Sequence, residues 1–286
     1  MANLKEIRNR ISSVSSTMQI TSAMKMVSAA KLKKAQDAIT AMRPYADKLT
    51  ELLQGLSATL DADSGSKYAN QREVKKVLLV PITSNRGLAG AFNSNIIKET
   101  TKLVAETYAN QEVSYLTIGK KANDAFKKSK KVIANKSEVY DDLTFDNVAE
   151  IAESLMDKFV SGEVDKVVLV YNKFKNAATQ EIMTEQFLPI VPVEGDANVN
   201  LDYIFEPSKV EIVEQLIPKS LKTQLYKAIR DSFASEHGAR MTAMHKATDN
   251  ATELRDQLKL TYNKARQAAI TNEILEIVGG AEALNN

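Results

Sequence analysis

The sequence contains no cysteine and no tryptophan, and its 286 residues include only two histidines, His237 and His245. Without cysteine the chain can form no disulfide, no thiolate metal site and no thiol nucleophile. Two histidines leave little scope for imidazole chemistry. We therefore predict that the chain holds neither a metal nor a cofactor.

Long apolar runs are also missing. No stretch reaches the roughly 18 apolar residues that a membrane-spanning helix requires. The N-terminal sequence MANLKEIRNR lacks the apolar stretch of a secretory signal. We expect a chain that does not span a membrane and is not exported.

Neither charge sign is in excess. Lys and Arg total 38 and Asp and Glu total 36, which gives a formal net charge of +2. Coating of nucleic acid usually requires a strongly basic domain, so we predict no nucleic-acid partner. The length allows about one or two domains at roughly 150 residues each.

Residues 1–60 predict a long helix with a coiled-coil seam. Its apolar residues step by three and four, namely Leu4, Ile7, Ile11, Val14 and Met18, then Leu32, Ala35, Ile39 and Met42. Between these runs the seam holds Thr21, Lys25 and Ser28, and the apolar side chains move to Ile20, Met24 and Val27. This stretch should therefore face something other than the first partner helix.

The middle segment, residues 61–208, has the pattern of a small α/β domain. Its opening stretch Leu60 to Ser66 has turn composition and is expected to end the helix or form a linker. Strands are predicted at Val77 to Thr83, Val113 to Ile118, Lys131 to Ala134, Lys166 to Tyr171 and Glu181 to Ile190, and helices near Asn93 to Tyr108, Lys120 to Lys128 and Asp146 to Val160. Continuous apolar strands such as VVLVY favour a mostly parallel sheet that is buried on both faces.

Residues 209–286 predict a second long helix. Ser208 and Glu211 form a capping-box pattern, and Pro218 is expected to kink or restart the helix. About 60 helical residues could follow, roughly 90 Å at 1.5 Å per residue. A seam of three-four spacing is predicted at Met244, Ala247, Ala251, Leu254, Leu258, Thr261, Ala265 and Ala268.

Together these segments predict an α/β protein with long helices. We expect the N- and C-terminal helices to pair as an antiparallel coiled coil, with a small Rossmann-like α/β domain inserted between them. Neither helical segment would be stable alone, because each exposes an apolar seam.

The loop Thr83 to Asn93 is the best enzymatic candidate. Its order of strand, glycine loop and helix is that of a phosphate cradle. However, it matches neither G-x-G-x-x-G nor G-x-x-x-x-G-K-[ST]. We favour a structural turn in which Arg86 and Asn93 satisfy local backbone groups, and nucleotide binding at Gly87 to Gly90 stays open as an alternative.

Other candidate sites favour structural interpretations. The series Ser235, Glu236, His237 resembles a catalytic relay on paper, but consecutive residues of a helix point in different directions, so we predict a packing histidine. Asn172 and Lys173 look like part of a guanine-binding motif, but Lys175 stands where a carboxylate is needed. Glu273 and Glu276 lack further ligands at metal spacing.

A basic stretch follows the N-terminus. From Ile7 to Gln36 there is no acidic residue, and the cationic side chains are Arg8, Arg10, Lys25, Lys31, Lys33 and Lys34. A solvated face normally mixes charge signs, so a one-signed helix suggests an acidic counterpart, with ordinary surface charge as the alternative.

Several sequence stretches resemble the gamma-subunit family of F-type ATP synthases. They are Lys5 to Arg8 (KEIR), Gln19 to Val27 (QITSAMKMV), Ser84 to Asn93 (SNRGLAGAFN), Ser235 to Met244 (SEHGARMTAM) and Ala265 to Ala281 (ARQAAITNEILEIVGGA). They occur in the family's order along nearly the whole chain. The resemblance implies a non-catalytic rotor subunit that couples proton flow through a membrane c-ring to ATP synthesis or hydrolysis.

The resemblance also implies partners and contact residues. Contacts with the beta subunits are implied for Met24, Lys25, Lys31, Lys33, Lys34, Arg266, Gln267 and Thr271, and contacts with epsilon and the c-ring for Tyr203, Phe205 and Glu206. The implied partners are the alpha and beta subunits, epsilon and the c-ring. The implied location is the cytoplasmic face of a bacterial membrane, reached only through these partners.

Three residues depart from the family pattern. Asn85 replaces a common Asp, Ala89 a frequent Cys, and Gly238 interrupts a helix where Ala is usual. Gly238 is expected to cost about 1 kcal/mol of helix stability and to soften the helix. Two alternative functions stay open: a nucleotide-binding α/β protein and a passive coiled-coil adaptor.

Overall fold

The structure, a computed structural model, describes residues 4–57, 67–128, 130–190 and 209–284. It contains two long helices, α1 (Leu4–Ser57) and α5 (Lys209–Leu284), and between them an α/β region. None of the helices in these ranges is long and apolar enough to cross a membrane. The predicted linker, residues 60–66, and the capping residue Ser208 lie outside the described residues.

The α/β region has the predicted alternation of elements. Its strands are β1 (Lys76–Pro81), β2 (Glu112–Thr117), β3 (Val132–Asn135), β4 (Lys166–Phe174) and β5 (Gln180–Leu188). Its helices are α2 (Phe92–Glu106), α3 (Lys120–Phe126) and α4 (Phe145–Val160), with a short 3-10 helix at Ser137–Tyr140. Each predicted strand and helix is found, with ends that differ by a few residues.

The sheet is mostly parallel, as predicted. Its order is β3-β2-β1-β4-β5, with parallel pairs throughout except for the antiparallel pair β4 and β5. The crossovers before β2, β3 and β4 each contain helical residues, which is what a parallel connection requires. A tight turn joins β4 to β5 and gives the one antiparallel pair.

Apolar side chains fill both faces of the sheet. On one face Val77, Leu79 and Tyr115 pack with Ala122 and Phe126 of α3. The other face packs against α4 and α5 and supplies the larger cluster, which includes Leu78, Leu169, Leu155, Phe159, Leu225 and Ile229. Burial on both faces explains why β1 and β4 are almost entirely apolar.

The chain divides into two compact units. The terminal unit comprises Met1–Ser28 and Met241–Asn286, and the central unit comprises Ala29–Arg240. Both α1 and α5 contribute residues to each unit. The central unit therefore contains the sheet together with the later part of α1 and the earlier part of α5.

Pro218 was predicted to kink or restart α5, and the restart is wrong. The helix runs unbroken from Lys209 to Leu284, a length of 76 residues. Proline removes one backbone donor from a helix. Beside it, Ile217 and Leu221 are buried in the main core, and this packing stabilises the turns on both sides of the proline.

Candidate functional site

The terminal unit is built on an antiparallel helix pair. The hydroxyl oxygens of Thr21 and Thr248 lie 2.8 Å apart, and the Arg8 guanidinium donates a 2.7 Å hydrogen bond to the Tyr262 hydroxyl. Moving back along α1 therefore corresponds to moving forward along α5. This geometry confirms the predicted antiparallel pairing of the two chain ends.

The α1 seam of this unit matches the prediction. Ile7 is buried, and Ile11, Val14 and Met18 are partly buried. The seam continues through polar residues, since Thr21 and Ser28 are buried and Lys25 is partly buried. The Ser28 hydroxyl donates to the Met24 carbonyl oxygen, which removes the cost of burying that donor.

The α5 seam is only partly correct. Met244, Ala247, Ala251, Leu258 and Ala265 are buried or partly buried as predicted, but Leu254, Thr261 and Ala268 are exposed. Thr248 is partly buried beside Ala247, and in the later heptads Arg255, Tyr262 and Ala269 are partly buried one residue beyond the predicted positions. With a helical period of about 3.6 residues, the next seam residue can lie either three or four positions after a buried one such as Ala251. Because Leu254 is apolar, the sequence favoured a spacing of three, whereas the structure uses a spacing of four.

The outer side of the helix pair carries exposed apolar residues. Ile20 and Val27 are 59% and 57% exposed, whereas Met24 is partly buried. The prediction that this apolar set faces away from the partner helix is confirmed for Ile20 and Val27. Met26 and Leu260 add to the apolar surface of this unit.

The last turns of α5 have no partner helix among the described residues of the terminal unit. The contact of Arg8 with Tyr262 lies near the start of α1, so α5 extends beyond the paired region. Residues 271–281 are exposed on all sides, including Ile274, Ile277 and Val278. Among the predicted contact residues, Arg266, Gln267 and Thr271 are exposed here, and the Thr271 hydroxyl donates to the Gln267 carbonyl oxygen.

The predicted basic contact residues lie in different settings. Lys33 and Lys34 are exposed on the part of α1 in the central unit, and Lys33 forms a 3.1 Å ion pair with Asp37. Lys31 is exposed and close enough to the Glu236 carboxyl to lower its pKa. Lys31 and Lys33 therefore each have an acidic neighbour within the chain.

The loop between β1 and α2 is a self-contained turn, as favoured above. Asn93 accepts a 2.9 Å hydrogen bond from the Ser84 backbone, and its amide group donates to the Ser84 hydroxyl. Leu88 and Gly90 adopt positive φ angles of 62° and 56°. The expectation for Arg86 needs correction, because its carbonyl oxygen enters this network. Its guanidinium instead lies near Glu236 and lowers that carboxyl's pKa.

The backbone donors at the start of α3 are already used. The Lys120 amide donates to Asn85 Oδ1, the Lys121 amide to the Ser84 carbonyl, and the Ala122 amide to Thr83 Oγ1, at 3.0, 3.2 and 2.9 Å. In a phosphate cradle such donors point at the anion. These donors belong to α3 and not to α2, the helix that directly follows the loop, and Asn85, Ser84 and Thr83 of the loop satisfy them.

Side chains of α5 fill the crevice at the carboxyl ends of β1 and β4. Ligands of open α/β sheets bind in this position, where the strand order reverses. The Ser235 hydroxyl donates to the Asn172 carbonyl oxygen at 3.0 Å, and the Asn172 amide donates to the Phe92 carbonyl oxygen at 3.2 Å. The guanidinium of Arg240 donates to the carbonyl oxygens of Arg86 and Gly87. Asn172 is thus a packing residue.

A buried ion pair anchors this part of α5. Arg240 Nη1 lies 2.5 Å from Glu236 Oε1, and both side chains are less than a tenth exposed. Burial raises the pKa of the Glu236 carboxyl, whereas Arg240, Lys31 and Arg86 oppose that shift. The pair was missed, although its i, i+4 spacing on a predicted helix is the signal that could have found it.

His237 packs against Phe233, as predicted for a helix-packing histidine. The ring centroids are 4.5 Å apart in an edge-on arrangement, and the side chain is 5% exposed. Burial, reinforced by Arg240 and Lys31, lowers the pKa of His237 to about 3. Ser235 bonds to Asn172 instead of His237, so the three consecutive residues form no relay.

The expectation that Gly238 softens the helix is replaced by a packing role. A methyl group at Gly238 would lie 3.1 Å from the Ala177 Cα and 3.2 Å from its carbonyl oxygen. Ala177 belongs to the turn between β4 and β5. Glycine therefore allows the turn to approach the helix closely.

Glu273 and Glu276 are exposed on α5, and no group of potential metal ligands occurs among the described residues. Tyr203, Phe205 and Glu206, predicted to contact epsilon and the c-ring, lie outside the described residues.

Comparison with known proteins gives a consistent result. A family model described as ATP synthase matches residues 3–284. A Flavobacterium psychrophilum protein named ATP synthase gamma chain is 75% identical over 285 residues and covers 99% of both chains. A Cytophaga hutchinsonii protein of the same name is 54% identical, with complete coverage of both chains.

Solved structures share the fold. The Tetrahymena thermophila mitochondrial ATP synthase central stalk and c-ring structure contains a chain with a TM-score of 0.58 and 25% identity, covering 80% of this chain and 99% of that one. A chain of the Euglena gracilis mitochondrial ATP synthase rotor gives a TM-score of 0.65 at 23% identity, covering 93% and 98%. With its family match and its relatives aligned from end to end, the chain belongs to the ATP synthase gamma-chain family.

Proposed function

We propose that the chain is the central rotor subunit of an F-type ATP synthase and couples proton flow through a c-ring to ATP synthesis or hydrolysis. As a gamma chain it is non-catalytic. The observation that carries the proposal is the antiparallel helix pair of the terminal unit, in which α5 extends beyond α1 with apolar residues exposed. Such a surface needs an enclosing partner.

The proposed partners are the alpha and beta subunits around the helix pair, with epsilon and the c-ring at Tyr203, Phe205 and Glu206. Through them the chain would be peripheral to the cytoplasmic face of a bacterial membrane. We retain the division into residues 1–60, 61–208 and 209–286 as the proposed functional division. In that division the two helical segments bear on the catalytic subunits and the inserted domain lies outside them.

The proposed beta-subunit contacts fall into two groups. Met24, Lys25, Lys31, Lys33 and Lys34 lie on α1, and Arg266, Gln267 and Thr271 lie on the exposed end of α5. A single asymmetric subunit can present different contacts to three otherwise identical sites. Any difference in nucleotide affinity that it imposes is limited by the difference in its contact free energies with their conformations.

A rotation assay tests the proposal directly. The alpha and beta subunits are immobilised, a probe is attached to the central unit of this chain, and rotation is recorded with Mg-ATP. The rotor function predicts ATP-dependent, unidirectional rotation. A complex that hydrolyses ATP while the probe stays fixed would favour the passive adaptor, and saturable Mg-ATP binding to the isolated chain would favour a nucleotide-binding protein.

The basic contacts can be tested separately. Lys33→Glu with Lys34→Glu should reduce ATP-driven proton pumping per ATP hydrolysed, because both side chains are exposed and would face an acidic beta surface. Lys31 is kept because it acts electrostatically on the buried Glu236 carboxyl, whereas the ion pair of Lys33 with Asp37 is exposed and contributes little to stability. A matched control replaces the exposed Lys98 and Lys128 by Glu, which makes the same change in net charge. Equal pumping by both variants would contradict the proposed contact.

A further inference from the structure

Polar residues occupy alternate seam positions of α5 in three successive heptads. These positions are Thr248, Arg255 and Tyr262, and each contacts α1 across the seam. The intervening positions, Met244, Ala251, Leu258 and Ala265, are apolar or small. A coiled coil selected only for stability would place apolar side chains at both sets of positions.

The three cross-helix contacts differ in chemistry. Thr248 meets Thr21 hydroxyl to hydroxyl at 2.8 Å, and the Arg255 guanidinium lies 3.4 Å from the Met18 sulfur. Tyr262 accepts a hydrogen bond from Arg8, whose guanidinium carbon also lies 5.7 Å from the ring centroid. On α5 itself the Arg255 guanidinium also pairs with Asp256 at 2.9 Å, and the Thr248 hydroxyl also donates to the Met244 carbonyl oxygen. Across the seam, each of the three side chains has one specific neighbour on α1.

The apolar residues alone do not determine the alignment of the two helices. Seam residues on both helices recur every seven positions, so a slip by one heptad again places seam positions opposite each other. The polar contacts are not preserved by that slip. In one direction Arg255 would move from Met18 toward Lys25, which brings together two positive charges. In the other direction Thr248 would move from Thr21 to Val14, so its hydroxyl would lose the cross-helix contact and keep only the Met244 carbonyl oxygen of its own helix.

We propose that Thr248, Arg255 and Tyr262 are register-setting residues, which hold the two helices of the terminal unit in one axial alignment. A polar residue in a coiled-coil seam can specify register at some cost in stability. The consequence for torque rests on the proposed rotor function. A pair that slipped under load would displace the exposed end of α5 relative to α1 and lose the coupling between them.

Cysteine crosslinking can measure the register, because the chain contains no native cysteine. The pairing of Thr21 with Thr248 places Ile11 opposite Leu258, so Ile11→Cys with Leu258→Cys reports the native alignment. Ile11→Cys with Ala265→Cys, and Ile11→Cys with Ala251→Cys, report slips of one heptad in the two directions. Crosslinking is performed on the full chain in the assembled complex during ATP hydrolysis.

The test variant carries Thr248→Val, Arg255→Met and Tyr262→Leu. In the chain without these three substitutions, we expect a crosslink only for the cysteine pair that reports the native alignment. Crosslinks of the cysteine pairs that report a slip are expected only in the test variant. A merely stabilising role would lower the thermal unfolding midpoint without producing slipped crosslinks. The matched control, Thr261→Val with Lys264→Met, changes exposed residues of the same helix and should retain the native pattern. If the slipped cysteine pairs formed no crosslink in the test variant, the proposal would be overturned.

The coupling ratio provides a separate measurement. If register setting serves the rotor, protons pumped per ATP hydrolysed should fall in the test variant and remain unchanged in the control. Slipped crosslinks without any loss of coupling would uphold the register inference and count against the rotor function. The two ideas can therefore fail independently.

Discussion

The two units of the molecule bury different chemistry. In the central unit, apolar strands pack between helices on both faces, and the largest side chains, such as Phe159 and Leu169, are fully buried. In the terminal unit, polar residues such as Thr21 and Thr248 face each other inside the helix pair, while Ile20 and Val27 are exposed outside. The central unit thus has the burial pattern of an independently folded domain. The terminal unit has that of a component that is completed by partners.

Breaking the buried ion pair of the central unit should cause the largest loss in the free energy of unfolding. Arg240→Met leaves the buried Glu236 carboxylate and the Arg86 and Gly87 carbonyls without their donor, which should cost about 3 to 5 kcal/mol in urea unfolding. The matched variant in the terminal unit, Arg8→Met, removes an exposed contact and should change the unfolding free energy little.

The Arg240→Met variant also has a predicted pH dependence. Burial already raises the pKa of Glu236, and Arg240 is the largest opposing influence. Since a raised carboxyl pKa means that stability is lost as the pH rises, the variant should be less destabilised near pH 5 than near pH 8. The double variant Glu236→Gln with Arg240→Met should recover part of the loss. A pH-independent deficit would show that the buried carboxylate is not its cause.

A second comparison applies one substitution to a helix of each unit. Leu155→Ala removes a fully buried side chain from the main core and should cost about 2 to 5 kcal/mol in urea unfolding. Leu254→Ala acts on a side chain that is 47% exposed and should cost much less. Similar losses would mean that Leu254 is on the seam after all. That outcome would restore the spacing predicted from the sequence.

The two histidines, one in each unit, should differ in how much they contribute to the pH dependence of stability. This effect is smaller than the preceding ones. His237 has its pKa lowered to about 3, so the folded state resists its protonation, and stability is lost as the pH falls through the ordinary value near 6.5. His237→Gln should therefore reduce the loss of stability between pH 7 and pH 5 by about 1 to 2 kcal/mol. His245→Gln, at a side chain that is mostly exposed, is the control. An identical pH profile for His237→Gln and the unchanged chain would contradict the assignment.

The central unit was largely predictable from the sequence, and the helix pair less so. Runs such as Val77 to Val80 are buried on both faces, so local composition alone indicated the strands and their parallel arrangement. On α5, the choice between Leu254 and Arg255 depends on the partner helix, since both positions satisfy helical spacing. Hydrophobicity favoured Leu254, whereas Arg255 is the residue that faces Met18.

Tertiary contacts explain the other errors. Gly238 was expected to weaken the helix, because the approach of Ala177 cannot be read from the residues on either side of it. Pro218 was expected to kink or restart α5, but α5 does not restart there, because the buried neighbours Ile217 and Leu221 hold the helix together. In each case a residue with an unfavourable local propensity is compensated by packing from elsewhere in the chain.

Two glycines of α5 give the smallest and most direct comparison. Gly279→Ala has open space around the new methyl group, so the gain in helix propensity, about 1 kcal/mol, should appear as slower amide exchange in the last turns of the helix. At Gly238 the same gain is opposed by contact with the backbone of Ala177 at 3.1 Å, which must move by a few tenths of an ångström. Gly238→Ala should therefore show no net stabilisation in urea unfolding and faster exchange in the turn between β4 and β5. If Gly238→Ala stabilised the chain as much as Gly279→Ala, the close approach of the turn would be dispensable, and the glycine would need another explanation.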